Sequence, residues 1–230
     1  MEINQRYNLY RQNLLLGIPS LLSHLDRDPF SSTYGSFDRE YWAWATKDFS
    51  NIDLQRAIYP LTLLYLTPFE ENIWAGNKRI KEWIIAAFNF WKKMQHRNGS
   101  HDHHYYNEYS FVGSAFPLYE IAKSFKLLVD SGELTDDQKQ TWLKTMSKSA
   151  EFLCQKDELH GFISNHRLGA SCALEIMYQI TNRTHFQKKS HELLSSIYSN
   201  TSTEGWLKEY GGADPGYQTL DTHYMANYLS

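Results

Sequence analysis

Residues whose types suit catalysis or ligand binding are concentrated in four stretches of this 230-residue chain. One stretch, Asn98–Tyr109, holds three His, two acids and three Tyr. The His-x-His spacing within it occurs in zinc sites, but zinc needs three or four ligands and no partner His lies at helical i, i+4 spacing. The stretch therefore leaves three interpretations open: a solvated polar loop, a polar wall that binds sugar, or a metal site.

An arginine stands among aromatic residues in an earlier stretch, Tyr34–Trp44. Arg39 with neighbouring rings suits a carboxylated or sulfated sugar, because a guanidinium binds an acid group in bidentate fashion. The alternative is an ordinary packed loop in which Arg39 pairs with Asp38 or Glu40.

A third stretch, 159–170, opens a predicted helix with Ser164, Asn165 and His166. Ser or Asn at such a place is an ordinary N-cap. The adjacent Arg167 and the small residues that follow favour another interpretation, in which an anionic ligand approaches the free backbone N–H groups of the helix.

The fourth stretch, Glu204–Tyr217, contains four Gly and one Pro around two Tyr and one Trp. Glycine allows positive φ angles and a close approach of the backbone to a ligand. Because so much glycine is costly to order, this stretch is the strongest candidate for a functional loop.

Helical periodicity is common in the chain and period-2 alternation is scarce, which predicts an all-α fold. The predicted helices are 3–26, 52–66, 73–95, 110–130, 136–155, 165–181, 185–199 and 217–229.

Local signals place several of the helix starts. Thr135 with Gln138 forms a capping-box pattern. Thr184 with Gln187 repeats it, and Ser50 with Asp53 is a weaker version. Two prolines, at positions 60 and 117, predict kinks or late starts.

Short and long joins between these helices alternate. The short joins are 67–72, 131–135 and 182–184, and the long joins are 27–50, 96–109, 156–164 and 200–216. In a stack of antiparallel helices every second join lies at the same end. We therefore expect a curved array of helical hairpins with all the long loops on one functional face.

Composition excludes several classes of protein. Hydrophobic residues make up 42% of the chain, charged residues 21%, and the net charge is -3, so there is no global basic field for nucleic acid. The apolar runs fall short of the ~20 residues that a membrane helix needs. With no signal peptide evident, we expect a cytoplasmic protein, or a periplasmic one if the chain is a processed fragment.

Three motifs together resemble the heparinase II/III-like polysaccharide lyases: Asn107–Gly113, Ser164–Arg167, and Glu209-Tyr210 with Asp214–Tyr217. The resemblance implies an incomplete (α/α) toroid, and a β-sandwich usually follows it in that family. Residues 1–230 then form a single toroid-like domain that lacks the β-sandwich, and the missing domain or self-association would cover the exposed end helices.

The resemblance also implies an activity, β-elimination of a uronate-containing polysaccharide such as a glycosaminoglycan. Asn165 matches the Asn that neutralises the uronate carboxylate, and Tyr217 matches the Tyr that acts as base, acid or both. We predict these two as catalytic residues, with no metal and no cofactor. The predicted substrate-binding residues are Arg39, His104, His166, Arg167 and Tyr210.

Two other classes stay open. A glycoside hydrolase on the same scaffold would use two carboxylates roughly 5–9 Å apart. Its candidates are Asp102 or Glu108 with Glu209 or Asp214. A non-catalytic glycan-binding or scaffold protein would bind an acidic polysaccharide without turning it over.

Overall fold

The computed structural model describes residues 3–229, with side chains from residue 7 onward, and it is all-α. In that range the only β-type pairings are isolated bridges. The helices are α1 (Ile3–His24), α2 (Arg39–Trp42), a 3₁₀ helix (Ile52–Ala57), α3 (Ile58–Leu66), α4 (Lys78–Met94), α5 (Phe111–Asp130), α6 (Asp136–Gln155), α7 (Ser164–Thr181), α8 (Thr184–Tyr198) and α9 (Pro215–Leu229). None of the helices in this described part combines the length and apolar character needed to cross a membrane.

All eight predicted helices are present, with changes at their starts. The segment predicted as 52–66 opens as the 3₁₀ helix, and α3 follows it at Ile58. This late start places Pro60 in the first turn of α3, where its missing N–H has no intrahelical partner to lose. Pro117 lies inside α5, which continues on both sides of it. The short helix α2 was not predicted, and it lies within the first long loop.

One of the three capping predictions is confirmed. The Thr135 N–H donates to Gln138 Oε1 over 2.9 Å, and the Gln138 N–H donates to Thr135 Oγ1 over 3.3 Å. The prediction for Thr184 is wrong, because α8 already begins at that residue and no side chain caps it. The prediction for Ser50 is also wrong, because Asn51 accepts the Asp53 N–H over 3.0 Å and starts the 3₁₀ helix one residue later.

The helices pack in two layers. Helices α3, α5, α7 and α9 contact one another in that order and form the inner layer. Helices α4, α6 and α8 pack on its outside, against α3, α5 and α7 respectively. Most of α5 and α7 is buried, whereas the outer helices bury one face each. Across the outer layer, the Phe88 and Trp142 rings stack with centroids 3.7 Å apart.

The long loops meet one another, as the alternation of joins predicted. The Ile52 N–H donates to Asp102 O, so the 3₁₀ helix after the first loop touches the second. The second and third loops line one cleft, and Ile163 and Glu209 form a backbone bridge between the third and fourth.

The short joins agree with the prediction only in part. The join 131–135 reaches the two helices that the join 67–72 connects, because Glu133 binds Tyr65 near the end of α3 and Lys81 near the start of α4. The third join instead contacts Glu151 on α6, through Arg183.

A glycine allows the inner helices to approach closely. A Cβ atom on Gly169 of α7 would overlap the Phe116 ring of α5. That ring stacks on Tyr224 of α9, with centroids 4.8 Å apart, and meets His166 edge-on at 5.9 Å. Gly169 therefore permits one aromatic contact that joins three inner helices beneath the long loops.

We expect Gly169→Ala to destabilise the protein by about 1–3 kcal/mol, because the added methyl must displace a packed ring. Urea denaturation measures this change. Gly17→Ala in α1 is the matched control, since nothing lies within 4 Å of its added Cβ. Its expected effect is a gain of about 0.5–1 kcal/mol from helix propensity. Equal effects of the two substitutions would contradict the packing argument.

Candidate functional site

The start of α7 is held by a carboxylate from another loop. The Asn165 N–H donates to Glu209 Oε1 over 2.8 Å, and Asn165 Nδ2 donates to Glu209 Oε2 over 3.0 Å. The Ser164 hydroxyl donates to the Lys208 carbonyl over 2.7 Å. The interpretation of Ser164 or Asn165 as an N-cap, one of the two left open by the sequence, is wrong, because both residues are helical and Ile163 occupies the cap position without a side-chain bond. An anion does lie at this helix start, and it is Glu209.

Glu209 shares a hydrogen bond with a second acid. Asp221 of α9 is buried and also accepts a 2.7 Å bond from Gln218 Nε2. Burial and the nearby charge of Glu209 raise the pKa of Asp221 to about 8. Asp221 is therefore protonated at neutral pH and donates to Glu209, so the two acids together carry one negative charge.

A buried carboxylate in the third loop binds two imidazoles. Glu158 Oε1 lies 2.7 Å from His160 Nδ1, and Glu158 Oε2 lies 2.6 Å from His166 Nδ1. Burial by itself raises the pKa of Glu158, but the hydrogen bonds from His166 and His160 outweigh it and bring the pKa to about 2. Glu158 is therefore ionised throughout the neutral range.

Glu158 and His160 were not among the residues predicted from sequence. The Glu158-x-His160 spacing shortly before His166 was the only sequence signal for this unit.

A cleft of about 270 Å³ lies between the second and third loops. Its walls combine aromatic and aliphatic side chains with polar ones, among them Tyr109, Phe111, Lys156, Leu159 and His160. Such a mixed lining suits a sugar ring, whose faces are apolar and whose edge carries hydroxyls.

The two predicted tyrosines lie together beside the third loop. The Tyr210 and Tyr217 ring centroids are 6.4 Å apart. Asp214 Oδ1 accepts the Tyr217 N–H over 3.0 Å and so fixes the start of α9. Burial, with Tyr217 and Glu158 nearby, raises the pKa of Tyr210. Tyr210 is therefore close enough to both Glu158 and Tyr217 for them to affect its pKa.

Arg167 is buried under the third loop. Its Nη2 donates to Asp157 Oδ2 over 3.1 Å, and its guanidinium lies 4.4 Å from the Phe162 ring centroid. A second cation, Lys208, lies over the same ring, with its Nζ 5.9 Å from the Phe162 ring centroid. Arg167 Nη1 has no hydrogen-bond partner among the described residues, so part of its donor capacity is unused.

The remaining predicted binding residues lie further out. Arg39 donates to the Ser23 carbonyl over 3.1 Å and lies 5.8 Å from the Trp44 ring. The expected alternative pairing of Arg39 with Asp38 or Glu40 is wrong, because Lys47 forms both of those ion pairs.

His104 is connected to the site through a neighbouring imidazole. The His103 and His104 ring centroids are 3.7 Å apart. Burial lowers the pKa of His103, and His104 and His166 lower it further. His103 is therefore close enough to both His104 and His166 for them to affect its pKa. Within residues 3–229 we find no contact that joins Arg39 to Asn165 or Tyr217.

The histidines of the second loop face different surroundings. His101 is fully buried, and its ring stacks on Trp91 with centroids 4.8 Å apart. Burial lowers the pKa of His101 to about 3, so it is neutral. Among the described residues, no group of three His, Cys, Asp or Glu side chains is arranged to hold a metal ion.

The amide, the two tyrosines and the two imidazoles lie on an all-α scaffold, in the third and fourth loops and in the first turns of the helices that follow them. The family model described as ulvan lyase N-terminal domain matches residues 51–223. The chain belongs to this family of polysaccharide lyase domains. No curated protein and no solved structure matches the chain.

We expect the shared proton to make stability pH-dependent. Native Asp221 binds a proton that the unfolded chain releases near its ordinary pKa of about 4, so stability falls as pH rises from about 4 to about 8. Asp221→Asn keeps a donor to Glu209 and removes the titration. The variant should therefore gain stability relative to wild type as pH rises through this window, by at most about 1.4 kcal/mol per pH unit. Urea denaturation at pH 5, 6.5 and 8 measures the difference, and a constant difference would contradict the shared proton.

Proposed function

We propose that this chain is the toroid-type part of a lyase that cleaves a uronate-containing glycan by β-elimination. The observation that carries the proposal is the family match, whose residues 51–223 span both Asn165 and Tyr217. The finer likeness to heparinase II/III-like enzymes, with an incomplete (α/α) toroid and a β-sandwich partner domain, belongs to the same proposal. An acidic polysaccharide is the proposed partner.

Elimination requires stabilisation of the charge that develops when C5 of the uronate loses its proton. Fixed donors at the sugar carboxylate provide it. Glu209 accepts one hydrogen bond from the Asn165 backbone N–H and one from its side-chain Nδ2, so the orientation of the side-chain amide is set before substrate arrives. Arg167, with an unused Nη1, is the cation nearest in sequence to that amide. Because Asn165 is only 1% exposed, contact with a sugar requires the residues that cover it to move aside.

Tyr217 is the proposed proton-transfer group of this reaction, and Tyr210 provides a neighbouring ring for the sugar. Both side chains are accessible, with exposed fractions of 37% and 50%. The partly buried His166 and the exposed His104 supply hydrogen bonds to the same glycan, and Arg39 extends the binding surface toward the first loop.

The hydrolase alternative finds no support in the positions of its four acids. Glu108 Oε2 accepts three backbone N–H groups, from His103, His104 and Tyr105. Asp102 likewise binds loop N–H groups. Asp214 caps α9 and Glu209 caps α7, so all four carboxylates fix the backbone.

Ultraviolet absorbance tests the proposal directly, because only elimination leaves a carbon–carbon double bond in the product. We expect the chain to release unsaturated uronate from a member of a panel of uronate-rich polysaccharides. Asn165→Ala should lower kcat by about 10²- to 10³-fold, as the loss of a fixed donor does elsewhere. Tyr217→Phe should abolish turnover.

Tyr198→Phe is the matched control, since Tyr198 is an exposed tyrosine on α8 whose hydroxyl contacts Met225. Its activity should equal that of wild type. New reducing ends without ultraviolet absorbance would instead establish a hydrolase. Glycan binding that is unchanged in Tyr217→Phe, with no turnover in any variant, would establish a binding protein.

A further inference from the structure

The two imidazoles on Glu158 have a defined protonation pattern. A carboxylate accepts hydrogen bonds and cannot donate them, so each neutral ring must carry its proton on the Nδ1 atom that faces Glu158. The Nε2 atoms of both His160 and His166 are then free to accept a proton. One buried carboxylate thus fixes the tautomer and the orientation of two rings.

The two rings differ in access. The His166 side chain is 17% exposed and meets the Phe116 ring edge-on, and it is close enough to His103 to lower the pKa of that imidazole. The His160 side chain is 65% exposed and lines the 270 Å³ cleft. A sugar bound in this cleft can therefore reach His160 without any rearrangement of the loops.

Other charged and titratable groups surround the unit. Tyr210 approaches Glu158 from the fourth loop. The ion pair between Asp157 and Arg167 flanks it along the chain. Lys156 and Glu108 share the cleft with His160. Among these acids, Glu108 binds backbone N–H groups and Asp157 binds Arg167. Glu158 is the carboxylate that contacts the imidazoles of His160 and His166.

The contacts of Tyr217 bear on which step of the elimination it serves. As a base it would need to be a phenolate, which a nearby cation stabilises. Its contacts are the Tyr210 ring and the Asp214 carboxylate, and no cation contact with Tyr217 occurs within the described part of the chain. With no such cation in contact, we assign the Tyr217 hydroxyl to proton donation to the leaving oxygen, so the C5 proton requires another acceptor.

We propose that Glu158 is a positioning residue that holds His160 with Nε2 facing the cleft, and that this Nε2 accepts the C5 proton. The inference rests on the proposed function. The C5–H bond breaks and its electron pair forms the C4=C5 double bond as the C4–O bond breaks. The leaving oxygen takes the Tyr217 hydroxyl proton, and water then carries the proton from His160 to the tyrosinate, which restores both groups.

Nuclear magnetic resonance of the imidazole nitrogens tests the positioning without any substrate. In the ¹⁵N-labelled chain at a pH where the rings are neutral, we expect both His160 and His166 to be in the Nδ1–H form. His160→Gln and His166→Gln variants assign the signals. Glu158→Gln should switch one of the rings to the Nε2–H form, because its amide accepts from one ring and donates to the other. An Nε2–H form of His160 in wild type would overturn the proposal.

Kinetics test the proton transfer. His160→Gln should lower kcat by about 10²- to 10⁴-fold, the range for loss of a general base. Glu158→Gln should lower kcat by about 10- to 100-fold and change the pH profile, with a smaller change in KM. Glu158→Asp should restore part of the rate, because it keeps the carboxylate.

His185→Gln is the matched control, because His185 pairs with Glu151 over 3.0 Å and lies outside the cleft lining. It should leave kcat and the pH profile unchanged. Wild-type kcat and pH profile in both His160→Gln and Glu158→Gln would overturn this inference while the lyase activity stood. Absence of elimination by wild type on every glycan would overturn the proposed function, and the nuclear magnetic resonance result would still decide the positioning role of Glu158.

Discussion

The site depends on how the N-terminus of α7 is satisfied. A helix start leaves backbone N–H groups without partners, and here no side chain of the helix itself caps them. Glu209 arrives from a loop 44 residues later and accepts both the backbone and the side-chain donor of Asn165. This contact fixes the fourth loop against the third, and so it also sets where Tyr210 lies.

The carboxylate that makes this contact is also part of an arrangement that limits the negative charge at the candidate site. Two ionised carboxylates under a proposed uronate site would repel the substrate more strongly than one. Asp221 shares its proton with Glu209, which limits the pair to one negative charge while it keeps three donors on Glu209. Gln218 holds Asp221 from the next turn of α9. The helix that carries Tyr217 is therefore tied to the amide of α7 through buried acids.

Other acids in the loops resemble Glu209 in that they accept hydrogen bonds from backbone N–H groups. Glu108, Asp102 and Asp214 each accept backbone N–H groups, which is how long polar loops can be ordered without strands. Asp102 also binds one imidazole, that of His96. Glu158 goes further, because it binds two side-chain imidazoles as well as one N–H group. That arrangement distinguishes the third loop from its neighbours and holds the proposed proton acceptor, His160, on the wall of the cleft.

The sequence by itself determined the all-α fold, the order of the helices and the Thr135 cap, because apolar periodicity and capping are local properties of the chain. It also indicated the loops that hold the site, through residue types such as those at Asn165 and Tyr217. Only the tertiary structure decided which anion lies at the start of α7 and which carboxylate binds His166. Those choices depend on contacts between residues up to 44 positions apart, and each acid in the loops had several partners of equal local plausibility. Packing of the loops against one another selected among them.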